Sequence, residues 1–327
     1  MIRRVVSTLV IAAVLVGGWV YWTYRGPGPA ANDGAVTDVI LPKGAGVGQI
    51  ASALKAAGVI GSRDVFYFAA KLGGAGRRLK AGEYEFPSHA SMSQVLNDIA
   101  EGKVVKRVVV APEGWTSAMV ADAVRAQPVL VGSIETPPEG SILPDGYQVQ
   151  RGEDRGDVIA KMMAARDALL AQLWAERAPD LPLKTPEEAV TLASIVEKET
   201  RVPAERPRIA AVFENRLRQG IKLETDPTVI YGISKGRPLG RGITMKELLT
   251  PTPYNTYRMV GLPPTPIANP GRASLAAVLN PPKSDELYFV ADGTGGHVFA
   301  STFAEHQANV AKWRAIERAR AATGGGK

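Results

Sequence analysis

The feature that most constrains how this chain can fold is an uncharged run near its N-terminus. Residues 5–24, VVSTLVIAAVLVGGWVYWTY, contain no Asp, Glu, Lys or Arg. As a helix rising 1.5 Å per residue, the run reaches about 30 Å, the thickness of a bilayer's hydrocarbon core. Trp19, Tyr21, Trp22 and Tyr24 gather at its far end, where amphipathic rings favour the membrane–water interface. Arg3 and Arg4 precede it and, by the positive-inside rule, hold residues 1–4 in the cytoplasm, so the rest of the chain is exported. A cleaved leader is the competing reading. The apolar run is long for that, and the small residues near Ala30 follow an aromatic belt and a Gly-Pro repeat. The expectation is a transmembrane helix over residues 5–24 with the lipid bilayer as partner, followed by a stiff, polar linker over residues 25–35.

The remaining sequence, out of 327 residues in all, is long enough for two domains with a sizeable core. It has no cysteine, which excludes disulfides, cysteine nucleophiles and thiolate metal sites. The only histidines are His89, His297 and His306, and there is no H-E-x-x-H, so neither a metal site nor a cofactor is expected. A net charge of +7 favours anionic surfaces or polymers. The basic residues are scattered and no aromatic-rich binding strand accompanies them, so nucleic acid is not an expected partner.

A weak internal repeat follows the linker. Residues 41–60 (LPKGAGVGQIASALKAAGVI) align without gaps with residues 86–105 (FPSHASMSQVLNDIAEGKVV), and a fainter copy covers residues 111–130 (APEGWTSAMVADAVRAQPVL). Each copy begins at a proline after an extended segment and continues as an amphipathic helix. Ile50, Val95 and Val120 occupy one equivalent apolar position; Leu54, Ile99 and Val124 occupy another. Strands are expected at residues 37–41 and 106–110. Such strand–helix units are similar to LysM-like modules, which grip N-acetylated glycans, and are equally compatible with a plain α+β scaffold.

Residues 185–231 read as helix, break, helix and then an extended segment. Thr185, Pro186 and Glu188 form a helix start: a capping hydroxyl, proline at the first helical position and glutamate at the third. Ala189, Leu192, Ala193 and Val196 define an apolar face. At ~100° per residue, Glu199 lies roughly 60° from the centre of that face, Glu197 roughly 100° away on the other side, and Lys198 points to solvent. A carboxyl drawn toward an apolar face loses hydration, which raises its pKa and suits a general acid. A pair of solvated glutamates near a helix end fits the spacing as well. Residues 204–219 form the second helix, stopped by Gly220. A further helix is expected at residues 157–177, a Gly-turn hairpin at residues 286–300, and a last helix at residues 303–321.

Beyond Gly220 the chain is dense in Pro, Gly, Asn and Tyr and is expected to form turns and short strands, including a strand at residues 228–231. Residues 232–236, GISKG, match G-x-S-x-G, with Asp292 and His297 in triad order. The Arg-Pro-Leu-Gly that follows cannot open the helix a nucleophile elbow requires, so a serine hydrolase is not expected.

Six segments in order, ASIVEKET, FENRL, TDPTVIYG, PYNTY, GLPPTPIANPG and YFVADGTGGHVF, resemble those of the endolytic murein transglycosylase family, also called YceG-like. The resemblance covers residues 36–320. It implies an α+β fold class: an N-terminal transmembrane helix, a LysM-like α/β subdomain over residues 36–130, a mixed α+β catalytic domain over residues 131–321, and a flexible tail at residues 322–327. It further implies a single-pass protein of the bacterial inner membrane whose periplasmic domain cuts peptidoglycan glycan strands internally. Cleavage between N-acetylmuramic acid and N-acetylglucosamine would leave 1,6-anhydro ends and terminate nascent strands, with penicillin-binding proteins as candidate partners. The catalytic acid maps onto Glu199. Asp226, Thr228, Tyr254, Asn255 and Asn215 are candidate substrate-binding residues, each equally readable as a residue that holds its loop. The chain departs from the family at Ile142, where an aromatic is usual, at Gly146, where threonine is usual, and at Glu224, where glutamine is common. The alternative function is a non-catalytic wall-binding anchor that recruits synthases.

Overall fold

The structure, a computed structural model, describes residues 2–32 and 34–322. Of the flexible tail expected at residues 322–327, Ala322 is the last residue of a helix, and residues 323–327 lie outside the described residues. The chain divides into two compact units, Met1–Arg107 with Gln148–Glu153, and Val108–Tyr147 with Asp154–Lys327. Residues 111–130, the third strand–helix copy, fall in the second unit.

The first unit opens with helix α1, Ile2–Arg25, long and apolar enough to cross a membrane, with no part of its apolar stretch buried in the protein. The segment after it is tied down rather than free. The Gly28 N–H donates to the His89 carbonyl (3.1 Å), the His89 N–H to the Pro29 carbonyl (3.0 Å), and the Ala31 N–H to Ser88 Oγ (3.1 Å). Then come β1 (Val36–Leu41), α2 (Val47–Ala56), α3 (Arg63–Leu72), β2 (Gly82–Pro87) and α4 (Met92–Glu101). The strands pair antiparallel, from Val36 opposite Pro87 to Leu41 opposite Gly82. Alternation puts Val39, Leu41, Tyr84 and Phe86 on one face, where they join the helices in one core. Ile50 with Leu54 and Val95 with Ile99, the equivalent repeat positions, are all buried in it.

The second unit takes in β3 (Arg107–Val110) from Val108 onward, α5 (Ser117–Arg125), β4 (Gly146–Val149) up to Tyr147, α6 (Arg155–Ala175), α7 (Pro186–Glu199) and α8 (Arg206–Arg218). There follow α9 (Asp226–Ser234), α10 (Met245–Leu249), α11 (Arg272–Leu279), the hairpin β5 (Tyr288–Ala291) and β6 (His297–Ala300), and α12 (Phe303–Ala322). Val120 and Val124 of α5 are buried like their counterparts in the first unit. Helix α7 is the axis of this unit and packs on α6, α8, α9 and α11. It starts as its sequence dictates: Thr185 Oγ1 accepts from the Glu188 N–H (3.2 Å), and Pro186 stands in the first turn.

The apolar face expected on α7 is buried, and burial extends all round its middle: residues 189–196 are all buried, as befits a helix enclosed on every side. One expectation is corrected. The expected extended segment and strand at residues 225–231 are helix α9. Thr228, Val229 and Ile230 favour strands, but Asp226 and Pro227 make a helix start, and burial of Thr228, Val229 and Tyr231 outweighs a weak local preference. Ser234 ends that helix and its hydroxyl donates to the Ile230 carbonyl (2.9 Å), so G-x-S-x-G here is a helix terminus and no nucleophile elbow.

Candidate active site

Helix α7 presents two glutamates in its last turn, and their partners separate them. Glu197 Oε2 accepts from the Gly271 N–H (3.0 Å) and from Ser274 Oγ (2.7 Å). Gly271 is the N-cap of α11, so this carboxylate sits on a helix N-terminus, where negative charge is favoured. Its other oxygen accepts from Arg206 (3.3 Å). A side chain at Gly271 would collide with Glu113, whose Oε1 lies 1.9 Å from where a Cβ would stand. Glu197 is thus spent on joining helices.

Glu199, partly exposed at the end of α7, accepts instead from the hydroxyl of Thr225, the N-cap of α9. Loss of hydration is the largest influence on its carboxyl and pushes the pKa up to about 7. The Thr225 hydrogen bond pulls it down, the charge of Asp226 pushes it up, and His297 and Arg216 pull it down. The result is a carboxyl about half protonated near neutral pH, the state a general acid needs.

Thr225 is held by buried hydroxyls. Its N–H donates to Thr256 Oγ1 (3.1 Å), its carbonyl accepts from Thr228 Oγ1 (2.8 Å), and the Thr228 and Thr256 hydroxyls bond each other (2.9 Å). Thr256 is carried by a loop that Asn255 staples. The Asn255 amide donates to the carbonyls of Glu247 (3.2 Å), Leu248 (3.0 Å) and Thr250 (2.8 Å) and accepts from the Tyr257 N–H (3.0 Å). The Tyr257 hydroxyl donates to Asp226 Oδ1 (2.7 Å). Burial, then the Asp226 carboxylate, pushes the Tyr257 phenol far above its ordinary value.

On the other flank, Thr200 Oγ1 donates to Glu205 Oε2 (3.0 Å). Glu205 also accepts from the backbone N–H of His297 and stands 2.7 Å from its Nδ1. Burial alone would raise the Glu205 pKa, but the bonds from His297 and Thr200 together lower it. Two carboxyls on one segment are therefore pushed apart, Glu199 upward and Glu205 downward. Such divergence of environment separates a carboxyl that keeps its proton from one that is ionised.

Among the candidate substrate residues, Asp226 is exposed and stands beside Glu199, and Thr228 is a buried member of the hydroxyl cluster. Asn255 is fully buried and occupied with its loop. Tyr254 bonds Thr265 (2.9 Å) and packs on Tyr231 with ring centroids 5.1 Å apart. Asn215 is turned to the carbonyls of Ser284 (2.8 Å) and Glu286 (3.0 Å), so it secures the chain before β5. Thr225, Thr256, Tyr257, Glu205 and His297 join the site unforeseen. Thr225 was legible as the residue before an Asp-Pro helix start; Glu205 and His297 are far apart in sequence and have no local signal. Glu214 also has its pKa raised by burial, to about 7. It is sealed from solvent and paired with Arg218 (3.0 Å), where no substrate can meet it. Of the departures from the family pattern, Ile142 is buried in the core, and Glu224 reaches Arg216 (3.4 Å).

A chain with this arrangement has known relatives. An endolytic murein transglycosylase of Bacillus subtilis (strain 168) is 29% identical over 311 residues, covering 85% of this chain and 85% of that protein. One from Streptococcus pneumoniae serotype 2 (strain D39) is 29% identical over 362 residues and 94% of this chain; this chain spans 64% of its length. The crystal structure of a yceG-like protein from Listeria monocytogenes superposes with a TM-score of 0.53 at 30% identity, covering 84% of this chain and 98% of that one. The YceG-like family pattern matches residues 39–312, a span that begins in the first strand and includes α7, α9, the stapled loop and the hairpin of His297, and with that coverage the chain belongs to the YceG-like family.

Proposed function

We propose that the chain is an endolytic lytic transglycosylase, held in the bacterial inner membrane by α1 with the chain after α1 in the periplasm, that cleaves peptidoglycan glycan strands between N-acetylmuramic acid and N-acetylglucosamine and so terminates nascent strands. The observation that carries the reading is Glu199: a carboxyl raised to about 7 by burial and held by Thr225 at the edge of the unit's core. The names of its relatives support the same chemistry. The β–α–α–β unit of Val36–Leu41 to Gly82–Pro87 supports a LysM-like grip on the glycan, and penicillin-binding proteins are the proposed macromolecular partners.

One carboxyl suffices for the reaction. Thr225 donates to Glu199 Oε1, which leaves Oε2 to carry the proton. Glu199 gives that proton to the bridging oxygen as the bond from muramic C1 breaks and positive charge grows on the ring. The Glu199 carboxylate then takes the proton of the C6 hydroxyl of the same sugar while O6 bonds to C1, closing the 1,6-anhydro ring and restoring the acid. The nucleophile belongs to the substrate, so neither water nor a second carboxylate of the usual glycosidase pair is required, and intramolecular attack gains from proximity. Asp226, oriented by Tyr257, places negative charge nearby. That charge keeps the Glu199 proton in place and opposes the developing positive charge with one of opposite sign.

The test is digestion of purified glycan strands by the full-length protein, followed by mass measurement of the ends. Anhydro ends from the native chain and intact strands from Glu199→Gln are expected. Reducing ends would make it a hydrolase, and intact strands from the native chain would make it a wall-binding anchor.

A further inference from the structure

Resting on the reading of α1 as a membrane anchor, we propose that α3 lies on the bilayer surface at the C-terminal end of α1, with Phe68 and Leu72 immersed among the lipids. These two residues are 59% and 87% exposed and, four apart, share one face of the helix. They line a cleft of about 700 Å³ together with Trp19, Val20, Tyr21 and Tyr24 of α1. Helix α3 therefore runs beside the last turns of α1 instead of standing clear of its end.

Two further observations hold that geometry. Tyr24 packs against the core of the unit, and the hydrogen bonds among Gly28, Pro29 and His89 tie the segment after α1 to the loop after β2. Gly28 approaches so closely that a Cβ there would lie 2.1 Å from the Ala90 carbonyl. Depth then settles the occupant. The uncharged run, about 30 Å long, spans the hydrocarbon core and ends at Tyr24, so Arg25 marks the boundary between core and headgroups. The cleft reaches back to Gly17, eight residues or about 12 Å along the helix from that boundary. The inner end of the cleft is consequently at hydrocarbon depth, where acyl chains fill it. Exposed Lys71, Arg77 and Arg78 adjoin this face in sequence and suit anionic lipid phosphates; the Lys71 ammonium stands over the Tyr67 ring, 5.4 Å from its centroid.

The chain has no cysteine, so one introduced thiol labels one place. Full-length Val10→Cys, Leu72→Cys and Ile40→Cys variants would carry an environment-sensitive fluorophore in vesicles of phosphatidylethanolamine and phosphatidylglycerol, at high lipid-to-protein ratio. Ile40 is exposed on the face of β1 opposite buried Val39 and Leu41 and serves as the aqueous control. The Leu72 label is expected to emit at shorter wavelength than the Ile40 label and to be quenched by lipids carrying a nitroxide near the headgroup, and Phe68→Asp should weaken that quenching. Val10 should be quenched by nitroxides deep in the acyl chains. Deep quenching at Val10 with a Leu72 signal matching Ile40 overturns the proposal and leaves the anchor intact; loss of quenching at Val10 itself overturns the anchor. Leu72 shielding that vanishes on dilution in the bilayer belongs to a second copy, and shielding seen only in native membranes belongs to a protein partner; either result also overturns it.

Discussion

Replacing Glu199 by glutamine should make the protein more stable above neutral pH while it removes activity. Native Glu199 has its carboxyl midpoint at about 7 instead of the ordinary 4.5, with dehydration the main cause. At about 1.4 kcal/mol per pH unit, keeping an ionised carboxyl there costs about 3 kcal/mol. The sign follows from proton counts. Between pH 4.5 and 7 the folded chain keeps a proton that the unfolded chain has released, so folding stability falls as pH rises through that window and is level beyond it. Glutamine does not titrate and still offers an oxygen to the Thr225 hydroxyl. Every other group, Glu214 included, cancels in the difference between variant and native protein. The stability advantage of Glu199→Gln should therefore grow by about 3 kcal/mol from pH 4.5 to pH 8, most of it below pH 7. Urea unfolding of both full-length proteins in detergent, followed across that range, reads it directly. A difference that stays flat with pH would refute the claim that burial holds this carboxyl protonated.

The other expectations concern what surrounds the acid. Thr225→Val deletes a hydrogen bond that lowers the Glu199 pKa, so the high-pH fall of activity should move to higher pH while the maximal rate drops; a pH–rate profile shifted the other way would contradict the assignment. Asn255→Ala leaves the carbonyls of Glu247, Leu248 and Thr250 without their amide donor and removes a buried side chain, and should cost about 1–3 kcal/mol of stability. Asn255→Asp should not restore it, because its oxygen cannot donate, and a fully stable Asp variant in a thermal melt would rule out the staple.

The sequence alone determined features whose signal is local. Charge-free length identified α1, the Thr185–Pro186–Glu188 start identified α7 to within a residue, helical patterns placed the repeat helices, and a Gly-rich turn placed the final hairpin. Motif order carried the family. What only the tertiary structure decided is which partner each polar group finds. Helical spacing separated Glu199 from Glu197 by a few tens of degrees, because a helix buried all round has no polar face to serve as reference. The choice was made by α11, whose N-terminus engages Glu197 from more than seventy residues away, leaving Glu199 for Thr225. The same holds for residues 228–231, where β-branched side chains favoured a strand and packing against α7 imposed a helix, and for Asn215 and Asn255, whose amides bond the carbonyls of their loops. Propensity is a fraction of a kcal/mol per residue, whereas an unpaired buried polar group costs about 1–3 kcal/mol, so distant partners settle what neighbouring residues leave open.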